Sequence, residues 1–151
     1  VNPAFPKYQL TGVFNLELAR LYYYLFQKTD TTFTVLYALD GYDEISLTGT
    51  AKAFSNQGER VLSPQDFGVL SHSASSITGG QNVASSAAIF MDILQNKGSQ
   101  EQQNVVCANA GMAIATAEVL TPIQGFEKAK ESLTSGKALN TFKTLQKLSQ
   151  T

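Results

Sequence analysis

The sequence predicts an α/β fold in one structural unit over residues 1–151, with a β-hairpin near the middle and a helical C-terminal segment. Three observations carry that expectation. An amphipathic helix runs into Thr32-Phe33-Thr34-Val35-Leu36-Tyr37, a β-branched and aromatic stretch that reads as a buried strand, parallel because it follows a helix. Two short extended runs flank the turn sequence Asn56-Gln57-Gly58. From Val83 onward the apolar residues recur at helical spacing.

Composition narrows the function classes. Of 151 residues, 43% are apolar and only 15% charged, whereas an average soluble domain carries roughly 25% charged residues. Disorder and a coiled coil are both excluded by these values. The net charge of -1 offers no field for nucleic acid or an anionic membrane surface. One cysteine, Cys107, and one histidine, His72, exclude an intrachain disulfide and any Cys- or His-rich metal cluster. A reducing compartment, the cytoplasm, fits this usage. The longest charge-free run, residues 67–91, contains His72, several serines and Gly79-Gly80, and is too polar to span a bilayer. The N-terminus lacks the pattern of a signal peptide. An opening of Val1-Asn2-Pro3 without initiator Met, together with the low charge, gives the expectation of a piece of a larger protein.

Each element has a local cause. Asn15 is an N-cap, and Leu18, Leu21, Tyr22 and Leu25 then share one helix face, with Tyr22, Tyr23 and Tyr24 as packing residues. Gln27 to Asp30 closes that helix. After the strand come a loop, Asp40 to Glu44, and a further extended piece, Ile45 to Thr48. Thr50 to Phe54 and Arg60 to Leu62 form the hairpin, with Gly58 free to take positive φ. Ser63-Pro64-Gln65-Asp66 starts a helix of about one turn that ends near Gly68. Leu70 to Thr78 is expected to be a mobile Ser-rich loop. Val83 to Gln95 is a helix ended by Asn96-Lys97-Gly98, and Gln102 to Val119 is a core helix apolar on most sides. Thr121-Pro122-Ile123-Gln124 is a capping box, and Phe126, Ala129 and Leu133 then share a face until Gly136. The last helix holds Ala138, Phe142 and Leu145, its lysines on the opposite, solvated side.

The stretch richest in chemistry is Asp40-Gly41-Tyr42-Asp43-Glu44, three carboxylates within five residues just after a buried strand. Ligands bind at the carboxyl ends of strands in α/β sheets, and adjacent carboxylates suit a hard cation such as Mg²⁺ that would bridge to a phosphate. The alternative is a set of solvated turn acids around Gly41. Thr78-Gly79-Gly80 before a helix is either an anion site or, by its lack of P-loop spacing, a flexible helix entry. His72 is either a general base or a surface histidine, and the absence of a nearby carboxylate in sequence favours the second. Cys107, in an apolar helical run, reads as a buried structural thiol rather than a nucleophile.

The motifs resemble a family. Asn2-Pro3-Ala4, Gln9-Leu10-Thr11-Gly12-Val13 and Leu18-Ala19 are similar to the middle of anthranilate phosphoribosyltransferase. Gly41-Tyr42-Asp43-Glu44-Ile45-Ser46-Leu47-Thr48-Gly49 is the most specific of the shared motifs. Pro64-Gln65-Asp66-Phe67-Gly68 and Asn109-Ala110-Gly111 follow in the family's order, so the resemblance covers essentially the whole chain. It implies the C-terminal portion of the large α/β domain of that fold, with the N-terminal helical domain and the first half of the α/β domain absent. It implies transfer of phosphoribosyl from phosphoribosyl pyrophosphate to anthranilate with release of pyrophosphate, a step of tryptophan biosynthesis. It also implies Mg²⁺ as cofactor, with Asp43 and Glu44 as the metal ligands, and a homodimer for the complete enzyme. No catalytic residue is assigned to this chain. The family's Gly-rich loop, its Lys-His-Gly-Asn type motif and its anthranilate-contacting arginine are not in it; Thr50 replaces a frequent Pro, and Gln81 replaces the usual acid. The chain alone is therefore expected to be inactive and to self-associate through an uncovered sheet edge. Two alternatives stand beside this reading: a related phosphoribosyltransferase or nucleoside phosphorylase of other substrate, and a non-catalytic binding module.

Overall fold

Four extended stretches pair into one sheet in the computed structural model, which describes residues 4–149. The strands are β1 (Tyr8–Gly12), β2 (Thr32–Ala38), β3 (Ala51–Ser55) and β4 (Gly58–Leu62), in the order β1-β2-β3-β4. β1 and β2 are parallel, joined by the crossover helix α1 (Leu16–Phe26). β2–β3 and β3–β4 are antiparallel, and Gly58 opens β4 with φ 108°. The helices α2 (Val83–Leu94), α3 (Gln100–Glu118), α4 (Pro122–Thr134) and α5 (Lys137–Leu148) follow. The expected α/β class, hairpin and helical C-terminal segment are all present.

The pleat of β2 sorts the core into two layers, because successive side chains point to opposite faces. Phe33 and Val35, with Phe54 of β3, pack against Ala19 and Phe26 of α1. Leu36 and Ala38, with Ala51 and Ala53, pack against Cys107, Ala108 and Met112 of α3. The buried polar residue on this face of β2 is Thr34, whose hydroxyl lies 2.7 Å from that of Thr116. α3 and α4 cross at two glycines. A Cβ on Gly111 would meet the Phe126 amide at 2.6 Å, and one on Gly125 would meet the Gly111 carbonyl at 2.1 Å.

Local signals held where they were local. Asn15 accepts from Leu18 N at 2.8 Å, Ser63 with Asp66 forms a capping box before the short turn Pro64–Phe67, and Gly68 ends that turn at φ 72°. Thr121 caps α4 with Pro122 at its first position. Ser99, rather than a residue just before Gln102, caps α3, so that helix begins at Gln100.

Several expectations are corrected. Of the expected buried face of α1, Leu18 and Tyr22 pack against the core, whereas Leu21 and Leu25 are 60% and 45% exposed. Glu17 and Arg20 mark the solvent side of the helix, and Leu21 and Tyr24 fall on that side with them. The sheet takes the side where Ala19 permits close approach, with Phe26 beside it and the Tyr23 ring tilted against Phe54 at 5.6 Å. Tyr24 points to solvent. β1 is a strand that the composition of Tyr8–Gly12 did not announce. Ile45 to Thr48 is not extended structure: Leu47 turns at φ 60°, which buries Ile45 and Leu47 together. Residues 70–78 contain a short 3-10 turn, Ala74–Ile77. Leu145 on α5 is exposed, whereas Phe142 meets Phe90 of α2 edge-on at 4.9 Å. Asn2 and Pro3 of the N-terminal motif lie outside the described residues. Among the described residues no single helix is long and apolar enough to cross a membrane.

The glycine crossing sets a prediction. Gly111→Ala adds about 1 kcal/mol of helix propensity but drives a methyl into the backbone of α4, which yields little. The net effect is a loss of about 1–3 kcal/mol of unfolding free energy, read from denaturant titration.

Candidate functional site

The carboxyl ends of β1 and β2 lie side by side, Gly12 paired with Leu36. The chain leaves β2 into a loop, residues 39–50, that folds back over this end of the sheet. Leu39 N donates to the Thr50 carbonyl at 2.9 Å and closes its base. Ala38 N donates to the Tyr42 carbonyl, and Gly41, at φ 94°, donates to the Ala38 carbonyl, both at 3.1 Å. That tight turn needs a residue that tolerates positive φ.

The three carboxylates divide by role. Asp40 is exposed too, but it accepts from Ser46 Oγ at 2.6 Å and from Thr48 Oγ1, so it staples the two ends of the loop. Asp43 and Glu44 are exposed and make no ion pair with any described residue. Both sit on a cleft of about 410 Å³ walled by Leu10, Gly12, Leu36 and Asn109. The Asp43 carbonyl rests on Gly12, where a Cβ would come within 1.6 Å of it. Gly12 is thus required for the loop to close on β1.

Asn109 of α3 makes the remaining long-range tie. Its Oδ1 accepts from Ile45 N and its Nδ2 donates to the Ile45 carbonyl, each at 2.8 Å. A second cleft of about 370 Å³ shares Glu44 and reaches Tyr42, Ser46, Thr78 and Gly79. The structure therefore brings the helix-entry sequence Thr78-Gly79 beside Glu44. Gly80 packs tightly, a Cβ there coming within 2.3 Å of Ser86 N. A further cavity of about 380 Å³, near Thr32, Arg60 and Thr116, lies at the opposite end of β2 and holds no carboxylate.

His72 is half-buried, which corrects its placement as a surface histidine. Its amide donates to the Leu47 carbonyl at 2.9 Å, and Nε2 lies 3.2 Å from Asn104 Nδ2. The contact is a hydrogen bond in the tautomer whose Nε2 accepts from that amide. Cys107 is buried, as its sequence context indicated, and burial pushes its thiol up to about 11.

A divalent cation fits the acid pair in one particular way. Among the described residues no group of three or more His, Cys, Asp or Glu side chains gathers to form a self-contained metal cage. Two unpaired carboxylates on an open cleft match a cation that keeps waters and shares its coordination with a phosphate-bearing ligand, the habit of Mg²⁺. The residues missed from the sequence as parts of this arrangement are Gly12 and Asn109. Both stand in motifs shared with the resembled family, and Asn109 is a polar side chain within the apolar run of α3 that must find a partner if turned inward.

Residues 1–139 match the glycosyl transferase family, a/b domain. The chain is 63% identical over 150 residues to an anthranilate phosphoribosyltransferase of Christiangramia forsetii, covering 99% of this chain and 45% of that protein. It is 62% identical over 149 residues to one of Flavobacterium psychrophilum, with the same two shares. The chain thus spans less than half the length of the curated relatives it matches. Its fold resembles the Saccharomyces cerevisiae anthranilate phosphoribosyltransferase in complex with PRPP and Mg, with TM-score 0.80, 20% identity, 91% of this chain and 40% of that one. The Thermus thermophilus enzyme gives TM-score 0.77 at 22% identity, over 85% and 39% of the two chains. The resemblance read from the motifs and the α/β class are both borne out.

Burial of Cys107 has a testable consequence. A thiol held near 11 stays protonated at pH 8, and the thiolate is the reactive form. An alkylating reagent at pH 8 should leave native protein unmodified and label Cys107 fully in denaturant, as read by intact mass.

Proposed function

This chain belongs to the glycosyl transferase family, a/b domain, and from that premise we propose that it is the C-terminal part of an anthranilate phosphoribosyltransferase. In the complete protein it would supply the second half of the large α/β domain. The helical domain and the first half of the α/β domain would come from the remainder of the polypeptide. The reaction is transfer of phosphoribosyl from phosphoribosyl pyrophosphate to the anthranilate amine, with pyrophosphate leaving. The observation that carries this reading is the unpaired Asp43–Glu44 pair on a cleft at the carboxyl ends of two parallel strands.

Asp43 and Glu44 are the proposed Mg²⁺ ligands. The ion, when bound, would neutralise charge growing on the departing pyrophosphate. The chain's own residues do the positioning. Asp40 holds the loop's two ends through Ser46 and Thr48, and Gly12 lets the Asp43 backbone settle on β1. The apolar wall of Leu10 and Leu36 restricts water at the inner side of the cleft, which strengthens electrostatic contacts made there. No residue of this chain is assigned as general acid, base or nucleophile.

The cytoplasm is the proposed compartment, consistent with a single buried Cys107. The complete protein is proposed to be a homodimer, on the family resemblance. For the chain by itself we propose inactivity and non-native self-association. β1 pairs on one side only among the described residues, and Phe14, Leu21 and Tyr24 expose apolar surface close by in sequence.

Two measurements test these statements. In the complete protein, Asp43→Asn with Glu44→Gln should lower Mg²⁺-dependent phosphoribosylation of anthranilate by about 100-fold or more, measured as pyrophosphate release. Activity within a few-fold of the parent would refute the metal role. Sedimentation of the 151-residue chain should show association that rises with concentration; a clean monomer at high concentration would count against the uncovered edge.

A further inference from the structure

We propose that Asn109 is the positioning residue that sets the Asp43–Glu44 pair over the cleft, by clamping the peptide groups on either side of Ile45; this rests on the reading of that pair as metal ligands. The Ile45 N–H belongs to the peptide unit whose carbonyl is that of Glu44. Asn109 Oδ1 accepts from it at 2.8 Å, and Asn109 Nδ2 donates to the Ile45 carbonyl at 2.8 Å. Two successive peptide planes are thereby fixed by one side-chain amide, much as a neighbouring strand would fix them.

The amide is itself oriented. Its second N–H donates to the Val105 carbonyl, one helical turn back, at 3.0 Å. All the hydrogen-bonding hydrogens of Asn109 are used, and a flipped amide would set Oδ1 against two carbonyl oxygens. The ties around Asp40 and Tyr42 are local, and those that leave the loop elsewhere, from Ser71 and His72 to Leu47 and Thr48, act on its far side and come from the 70–78 segment rather than from a core helix. Asn109 is 64 residues from Ile45 and belongs to the core helix whose next turn, through Met112, packs into the layer under the sheet. It therefore refers the acid pair to the rigid part of the fold. Ile45 is buried, so the clamped peptides cannot turn to water for replacement bonds without moving the loop.

The chemistry needs this. Two exposed carboxylates repel each other, and a loop free to relax would separate them. Holding the backbone beside them limits that relaxation without using either carboxylate as an anchor.

The test uses the full-length protein with Mn²⁺ as the probe in place of Mg²⁺. Mn²⁺ affinity is read by electron paramagnetic resonance at fixed phosphoribosyl pyrophosphate, and hydrogen exchange is read at the Ile45 amide. Asn109→Ala should weaken Mn²⁺ binding about 10- to 100-fold. It should also speed exchange at Ile45 roughly tenfold or more while amides of α3 and α4 keep their protection. If Asn109→Ala does not fold, Asn109→Leu serves: it keeps nearly the same volume, loses the acceptor and both donors, adds no charge to the cleft, and should weaken Mn²⁺ binding in the same direction. Asp43→Asn with Glu44→Gln is the reference. If the reference variant loses Mn²⁺ affinity and folded Asn109 variants do not, the positioning role is overturned and the metal reading stands. If the reference variant binds Mn²⁺ like the parent, the metal reading falls and takes this inference with it.

Discussion

β2 is the strand on which the rest of the structure depends. It is hydrogen-bonded on both sides, to β1 and β3, and buried on both faces. Phe33 and Val35 reach one layer, while Leu36 and Ala38 reach the other. A register slip of one residue would exchange these sets and expose the matched partners on α1 and α3. The constraint propagates outward. Fixing β2 fixes where its carboxyl end lies, and therefore where the loop of residues 39–50 must begin and return to β3. The parallel partner β1 then places Gly12 beneath that loop.

Much of this was legible because its causes are local. Asn15 and Thr121 each accept from an amide three residues on, and Asp66 accepts from the Ser63 amide, so these caps could be read from short sequences. The hairpin turn at Asn56-Gln57 was equally visible, and Asn56 adds a bond to Phe33 N that only the folded sheet creates. What could not be read has non-local causes. Leu21 and Tyr24 of α1 are apolar yet lie on the side that Glu17 and Arg20 mark for solvent, and the close approach of Ala19 to the sheet settles which side is buried. β1 is short, and its place is set by pairing with β2 rather than by propensity. The candidate site divides in the same way. Asp43 and Glu44 announced themselves as adjacent acids, whereas the role of Asn109 depends on a contact across 64 residues.

The polar groups around the cleft follow one energetic rule. A buried donor or acceptor left unpaired costs about 1–3 kcal/mol, more than a made bond contributes. Among the described residues no buried side-chain nitrogen or oxygen lacks a partner. Thr34 and Thr116 satisfy each other between the sheet and α3, and Asn104 is met by Gln100 and His72. His72 is consequently a bridge between the 70–78 segment and α3, which explains why its half-buried ring has no carboxylate partner.

The loop meets two demands that ordinarily conflict. Carboxylates that are to bind a cation must stay free of competing cations, yet free charges on a loop give nothing to hold it. Here the holding is done by neutral groups and by Asp40, whose carboxylate is taken up by hydroxyls. Asp40 is the only one of the three acids given a structural partner, and its partners are hydroxyls rather than a lysine or arginine. The four ion pairs found among the described residues all lie elsewhere, on the hairpin and on the C-terminal helices. With Gly12 removing a side chain and Asn109 replacing a strand, the backbone is held while both outer carboxylates remain open to the cleft. A basic anchor in place of Asn109 would hold the loop as well, but its charge would compete with any divalent cation for the same two oxygens. A neutral amide is the residue type that supplies rigidity at this point without that competition.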